Sequence, residues 1–135
     1  LLFLNDDIEA FQPEWVERML GHAQNSYVGA VGAKLLYPET TIIQHGGVTN
    51  TKDGPIHTFC GYDDVVPYYF GFNWLEYNCI AVTGACLLVS ASKFWNVAGF
   101  DESLPVAFND VNFCFLLYEM GFYNVVRNDV ILFHH

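Results

Sequence analysis

The amino-acid sequence predicts an α/β domain, on three observations. Short apolar runs bounded by polar residues, at 1–4, 28–37 and 130–133, read as buried strands. Two segments, after Pro13 and after Asn109, carry apolar residues at helical spacing. Polar, metal-capable side chains follow the first and last of the strands, where open α/β sheets place their ligands.

Each element has its own signals. Leu1-Leu2-Phe3-Leu4, apolar on both faces, predicts an interior strand covered by helices, as parallel strands are. Pro13 suits the first position of a helix in which Trp15, Val16, Met19, Leu20 and Ala23 make the apolar face. Glu14, Glu17, Arg18 and Gln24 take its other face, with His22 solvated, and Asn25-Ser26 ends it. Residues 28–37 follow as a strand, 38–40 as a turn, and 41–49 as a further strand around Gln44-His45-Gly46-Gly47. Residues 51–73, rich in Gly, Pro, Asp and Tyr, read as one long loop, and loops of that length are usually functional or mobile. Residues 78–89 form either a buried strand pair or one strand interrupted at Gly84. Ser90 or Ser92 caps a short helix that Gly99 stops. Residues 101–107 connect it to a helix with Asn109 as N-cap and Gly121 as its close. Residues 123–126 and 130–133 are the last two strands.

Composition narrows the function. A chain of 135 residues, 53% hydrophobic and 17% aromatic, makes at most one domain and buries a real core. No apolar stretch approaches the ~20 residues that span a bilayer. Five basic residues against fifteen acids give a net charge of −10, which argues against a nucleic-acid partner. Like unit charges at ~4 Å repel by about 4 kcal/mol at an effective dielectric of about 20, so an acidic site that takes a diphosphate needs a cation between them. Cys60, Cys79, Cys86 and Cys114 have long, irregular gaps that suit neither a structural zinc site nor a disulfide framework. Their usage fits a reducing compartment, and Cys86 and Cys114 read as small core residues.

Four places carry candidate chemistry. Asn5-Asp6-Asp7 offers oxygen ligands of the kind Mg²⁺ and Mn²⁺ prefer, and it also has the composition of an ordinary turn. Asp110 falls in the first turn of a helix, where the dipole favours the ionised form a general base needs; acids also stand there simply to stabilise helices. His134-His135 follows a buried strand, although terminal histidines are ordinarily surface residues. Thr83-Gly84-Ala85, small residues inside an apolar segment, fits close approach of a ligand or tight core packing. His45 reads as a turn or pocket histidine.

In this order the pieces resemble family 2 glycosyltransferases, particularly the bacterial rhamnosyltransferase-like members. The resemblance runs over Leu4-Asn5-Asp6-Asp7, Pro13-Glu14-Trp15, residues 28–38, Gln44 to Gly47, Thr83 to Cys86, Gly99-Phe100-Asp101-Glu102, Asn109-Asp110 and His134-His135, essentially the whole chain. It implies a partial GT-A fold, a mixed sheet flanked by helices. It also implies an inverting, metal-assisted transfer of sugar from a nucleoside-diphosphate sugar to a hydroxyl of a saccharide or lipid-linked acceptor. By position, Asp7, with Asn5 and His134, would hold Mn²⁺ or Mg²⁺, and Asp110 would be the general base. Asp6, Thr83, Gly84 and Asn109 would line the donor and acceptor sites. Asn5 and Asn109 stand where the family usually has acids. The resemblance makes residues 1–135 the carboxyl-terminal portion of a catalytic domain whose nucleotide-binding half lies upstream of Leu1. It places the protein in the cytoplasm or at the inner face of the membrane. The isolated chain is then expected to be inactive and to self-associate through its exposed first strand. The competing readings are a non-catalytic metal-binding or interaction fragment and a metal-dependent phosphohydrolase, which would want more acids and histidines.

Overall fold

Nine strands and three helices make up the computed structural model, which describes residues 1–104 and 107–135. The strands are β1 (Leu2–Leu4), β2 (Ile8–Ala10), β3 (Val28–Leu36), β4 (Ile43–His45), β5 (Val48–Thr51), β6 (Gly54–His57), β7 (Tyr77–Cys79), β8 (Cys86–Val89) and β9 (Tyr123–His134). The helices are α1 (Trp15–Ala23), α2 (Ala91–Asn96) and α3 (Asn109–Glu119). Part of the connector expected at 101–107, residues 105 and 106, lies outside the described residues. The protein is a mixed α/β structure. Its main sheet runs β1-β8-β3-β9-β2, with β4 added against β3 and β7 against β9; β5 and β6 form a separate hairpin.

The centre is β3, whose nine residues are all buried. It pairs in parallel with β9 and antiparallel with β8. Its alternate side chains face opposite layers. Val31, Ala33 and Leu35 join Met19 of α1, while Ala30 joins Phe113, Cys114 and Leu117 of α3. Two helical layers therefore cover the sheet, and this explains why β3 reads as a continuous apolar run. Lys34 interrupts that run. It is 1% exposed, and its Nζ donates to Asp64 Oδ2 at 2.6 Å and to the Asn73 carbonyl at 3.1 Å. Burial lowers the Lys34 pKa and the Asp64 carboxylate opposes that shift. Asn73, itself buried, donates to Asp64 Oδ1, so one cluster ties the connection after β6 to the central strand.

Several expectations change. β1 pairs antiparallel with β8 rather than in parallel, while its other side, as expected of the isolated chain, has no partner among the described residues and Leu1, Leu2 and Leu4 are exposed. Pro13 precedes the first helix, which opens after Glu14. His22 is half-buried rather than fully solvated, and its Nδ1 lies 2.6 Å from Arg127 Nη1. The segment 41–49 divides into β4 and the start of β5, because Gly47 turns the chain at φ 95°. The long loop contains β6, folded back on β5 with Val48 opposite His57. Residues 78–89 hold the end of β7 and all of β8, two strands that do not pair with each other: β7 pairs with β9, and β8 with β1 and β3. The two final strands are one, β9, carrying a bulge: Arg127 pairs with Ala33 and Ile131 with Lys34, which leaves 128–130 between the two registers. Asn109 is the first residue of α3, and Phe108, at φ 66°, takes the cap position. As expected, α2 follows Ser90, and Gly99 and Gly121 adopt positive φ after their helices. All four cysteines are free thiols, with Cys86 and Cys114 in the core.

No helix among the described residues is long and apolar enough to cross a membrane.

Candidate active site

Strand direction gathers the candidate residues. β8 runs antiparallel to both β1 and β3, and β3 runs parallel to β9, so β1, β3 and β9 all end at one edge of the sheet. Residues 83–85, just before β8, arrive at that same edge. Asn5 donates its backbone N–H to the Ala85 carbonyl at 3.0 Å, fastening the turn after β1 to that segment. β2 then pairs with the end of β9, Ile8 opposite His134, and His135 N–H donates to the Asp7 carbonyl at 3.1 Å. This short strand carries Asp7 to His134 across the sheet edge.

Three ligand-type side chains meet there. His134 Nε2 lies 3.2 Å from Asp7 Oδ1 and 3.2 Å from Asn5 Nδ2. Gln44 orients the imidazole from the other side. Its Nε2 donates to the His134 carbonyl at 3.3 Å, which leaves Oε1 to accept from His134 Nδ1 at 2.5 Å. A neutral His134 with its proton on Nδ1 turns the Nε2 lone pair toward Asp7. Asp7 Oδ1 is buried and accepts no hydrogen bond. A lone pair and an unsatisfied carboxylate oxygen facing each other are what a cation would satisfy, and a ligating His whose second nitrogen is held by a neighbouring acceptor is the usual arrangement at metals. Asn5, Asp7 and His134 therefore suit a hard divalent ion. No group of three or more His, Cys, Asp or Glu side chains converges as a metal site among the described residues, so Asn5 would have to be the third ligand, through Oδ1 after a turn of the amide that now points Nδ2 at His134. Asp6 is exposed in the turn, and His135 faces Glu9 at 3.3 Å rather than this cluster.

Asp110 occupies the other end of the segment 83–85. Phe108 turns the chain into α3 through a left-handed residue, a conformation that costs about 1–2 kcal/mol when a Cβ is present. Asn109 Oδ1 accepts the Asp110 N–H at 2.7 Å. The Asp110 carboxylate accepts from Gly84 N–H at 2.8 Å and from Val111 N–H at 2.8 Å. A carboxylate has about four acceptor positions, so two are committed and the rest are open to a ligand. Asp110 lines a cavity of about 270 Å³ together with Asn109, Phe108, Pro55 and His57. Gly84 is placed by its hydrogen bond rather than by sterics, since a Cβ there would meet Asp110 only at ordinary contact distance. Thr83 N–H donates to His45 Nε2 at 3.4 Å. A larger cavity of about 690 Å³ shares Val48 with the first and is walled by Phe72, Tyr77, Phe115, Tyr118 and Tyr123, with none of the predicted site residues among its lining.

Gln44 and His57 escape a reading of the sequence alone. Gln44 follows from the alternation of β4, which sends it to the side opposite His45, but a three-residue strand is too short to show a period. His57 carries no local signal and reaches the site only through the β5–β6 hairpin.

His45 is fully buried and stays neutral: burial first, then the nearby His57 and His134, holds its pKa well below the usual 6.5. The unfolded chain takes up this proton near pH 6.5 while the folded chain resists it. The contribution to stability is therefore complete above about pH 6.5 and declines as pH falls below it, by at most about 1.4 kcal/mol per pH unit. Urea melts at about pH 7.5 and about pH 5.5 should show the acid sample less stable, with the difference reduced in His45→Gln. Equal midpoints for the wild type would contradict a buried neutral imidazole.

No protein-family model matches the chain. The uncharacterized protein y4gI of Sinorhizobium fredii is 40% identical over 134 residues, 98% of this chain and 15% of that protein. The O-antigen biosynthesis protein RfbC of Myxococcus xanthus is 35% identical over 147 aligned positions, which cover 100% of this chain and 11% of that protein. The chain thus spans less than a sixth of the length of either relative.

Proposed function

We propose that this chain is part of a GT-A glycosyltransferase that moves a sugar, with inversion, from a nucleoside-diphosphate sugar to an acceptor hydroxyl in bacterial polysaccharide assembly. One observation carries the reading: the cluster of Asn5, Asp7 and His134 and the Asp110 carboxylate, which lines a cavity, flank the same segment, 83–85, which is bonded to Asn5 through Ala85 and to Asp110 through Gly84. Donor activation and acceptor activation need two such groups side by side. The likeness to a protein named for O-antigen biosynthesis supports a place in polysaccharide assembly.

Asn5, Asp7 and His134 would hold Mn²⁺ or Mg²⁺, which when bound supplies positive charge to the departing diphosphate. Gln44 keeps the His134 proton on Nδ1, so that Nε2 carries the lone pair that would coordinate once the Asn5 amide, whose Nδ2 now faces it, turns over. Asp110 accepts the proton of the acceptor hydroxyl as its oxygen attacks, from the face opposite the leaving group, the geometry of base-assisted inversion. The backbone donors Gly84 and Val111 hold the carboxylate in orientation. The nucleotide base and ribose would be bound by chain outside residues 1–135.

Calorimetric titration with Mn²⁺ in the presence of nucleoside diphosphate tests the ion site in the protein that carries this chain. Asp7→Ala should weaken binding by more than ~10-fold, and Gln44→Ala, which only orients a ligand, by about 10–100-fold. Wild-type affinity in Asp7→Ala would remove the ion from this site.

A further inference from the structure

His57 has a defined proton position that the proposed transfer does not yet use. Thr83 N–H donates to His45 Nε2, so that nitrogen is the acceptor and a neutral His45 carries its proton on Nδ1. His45 Nδ1 lies 3.2 Å from His57 Nδ1, and the two rings meet edge to face. The His57 Nδ1 must then accept. A neutral His57 keeps its single proton on Nε2, on the side of the ring turned away from His45. His57 is exposed and lines the cavity of Asp110. One backbone N–H thus sets, through two imidazoles, the proton position of His57, which lines the same cavity as the acceptor Asp110.

We propose that His57 is a specificity residue, giving its Nε2–H to a non-reacting oxygen of a saccharide acceptor while Asp110 takes the proton of the reacting hydroxyl. The assignment rests on the transferase reading and adds to it the acceptor class: a sugar with a second oxygen close to the one that reacts. An acceptor lacking that oxygen leaves the donor unpaired and is discriminated against. His45 is a positioning residue that acts through His57.

Two measurements decide it. In long-range ¹H–¹⁵N spectra of the histidine-labelled chain at neutral pH, His45 should be protonated at Nδ1 alone and His57 at Nε2 alone; any other pattern overturns the relay. In the protein that carries this chain, UDP- and dTDP-sugars serve as donors and methyl glycosides as acceptors. His57→Phe should raise the acceptor KM about three- to tenfold, the value of one hydrogen bond, with the donor KM unchanged. His57→Gln, which restores an N–H, should recover most of that loss. Transfer by the wild type with an unaltered acceptor KM in His57→Phe overturns the role of His57 alone. Absence of transfer by the wild type overturns the transferase reading on which it rests.

Discussion

Asp110→Asn in the protein that carries this chain should lower turnover by ~10²–10⁴ while donor binding stays within about twofold. The amide has the shape of the carboxylate but cannot take the acceptor proton. It differs in a second way. The carboxylate accepts two backbone N–H groups, from Gly84 and Val111, each at 2.8 Å, and an amide has one oxygen for the two. One donor loses its partner, at about 1–3 kcal/mol. That is a fraction of the roughly 5–15 kcal/mol by which domains are stable, so the variant should remain folded and only the chemistry should collapse. Steady-state kinetics and a thermal melt on the same sample separate the two effects. Wild-type turnover in a folded Asp110→Asn would take the base role from this residue and leave the transfer to another group.

Gly32→Val should be the most destabilising single change at a glycine, by about 3 kcal/mol or more, lowering the melting temperature on the order of 10 °C. A Cβ on Gly32 would lie 2.6 Å from Val82 Cβ and 2.7 Å from its Cγ1, closer than carbon atoms approach. Val82 is fully buried, and Gly32 is locked on both sides, opposite Leu87 in β8 and Val126 in β9. Neither can retreat cheaply. The displaced Val82 directly precedes Thr83 and Gly84, so the site should loosen along with the core. Gly21→Ala is the control: nothing lies within 4 Å of a Cβ there, and replacing glycine inside α1 should stabilise by about 0.8–1 kcal/mol. Melting curves that rank the two variants equally would show that the close packing over β3 is not what holds this region.

The parts of this architecture that show in the chain are those with a strong local cause. β3 shows because nine residues lie between two covered faces, and α1 because its apolar stripe recurs at helical spacing. Asn5, Asp7, Asp110 and His134 show as polar residues placed where apolar elements end or begin. Their convergence does not show: Asn5 and His134 are 129 positions apart, and only the order of strands joins them. β2 and β4 have three residues each, too few for any period. The bulge in β9 looks like a break between two strands because Asn128-Asp129 has the composition of a turn, while in the folded chain Asn128 is buried and donates to the Phe72 and Leu75 carbonyls. Lys34 looks like an interruption in an apolar run until Asp64, thirty positions later, stands beside it.

That buried ammonium makes the stretch 63–74 a hereditary companion of the central strand. Lys34 is satisfied by Asp64 and by the backbone of Asn73, and a charge left in the core without its counter-ion costs about 3–5 kcal/mol. A chimera that imports this stretch from a relative without importing the residue at 34 inherits a lone charge or a lone acid. Relatives can therefore exchange segments of this surface only in blocks that reach inward to β3, and a crossover point between residues 34 and 64 separates two halves that need each other.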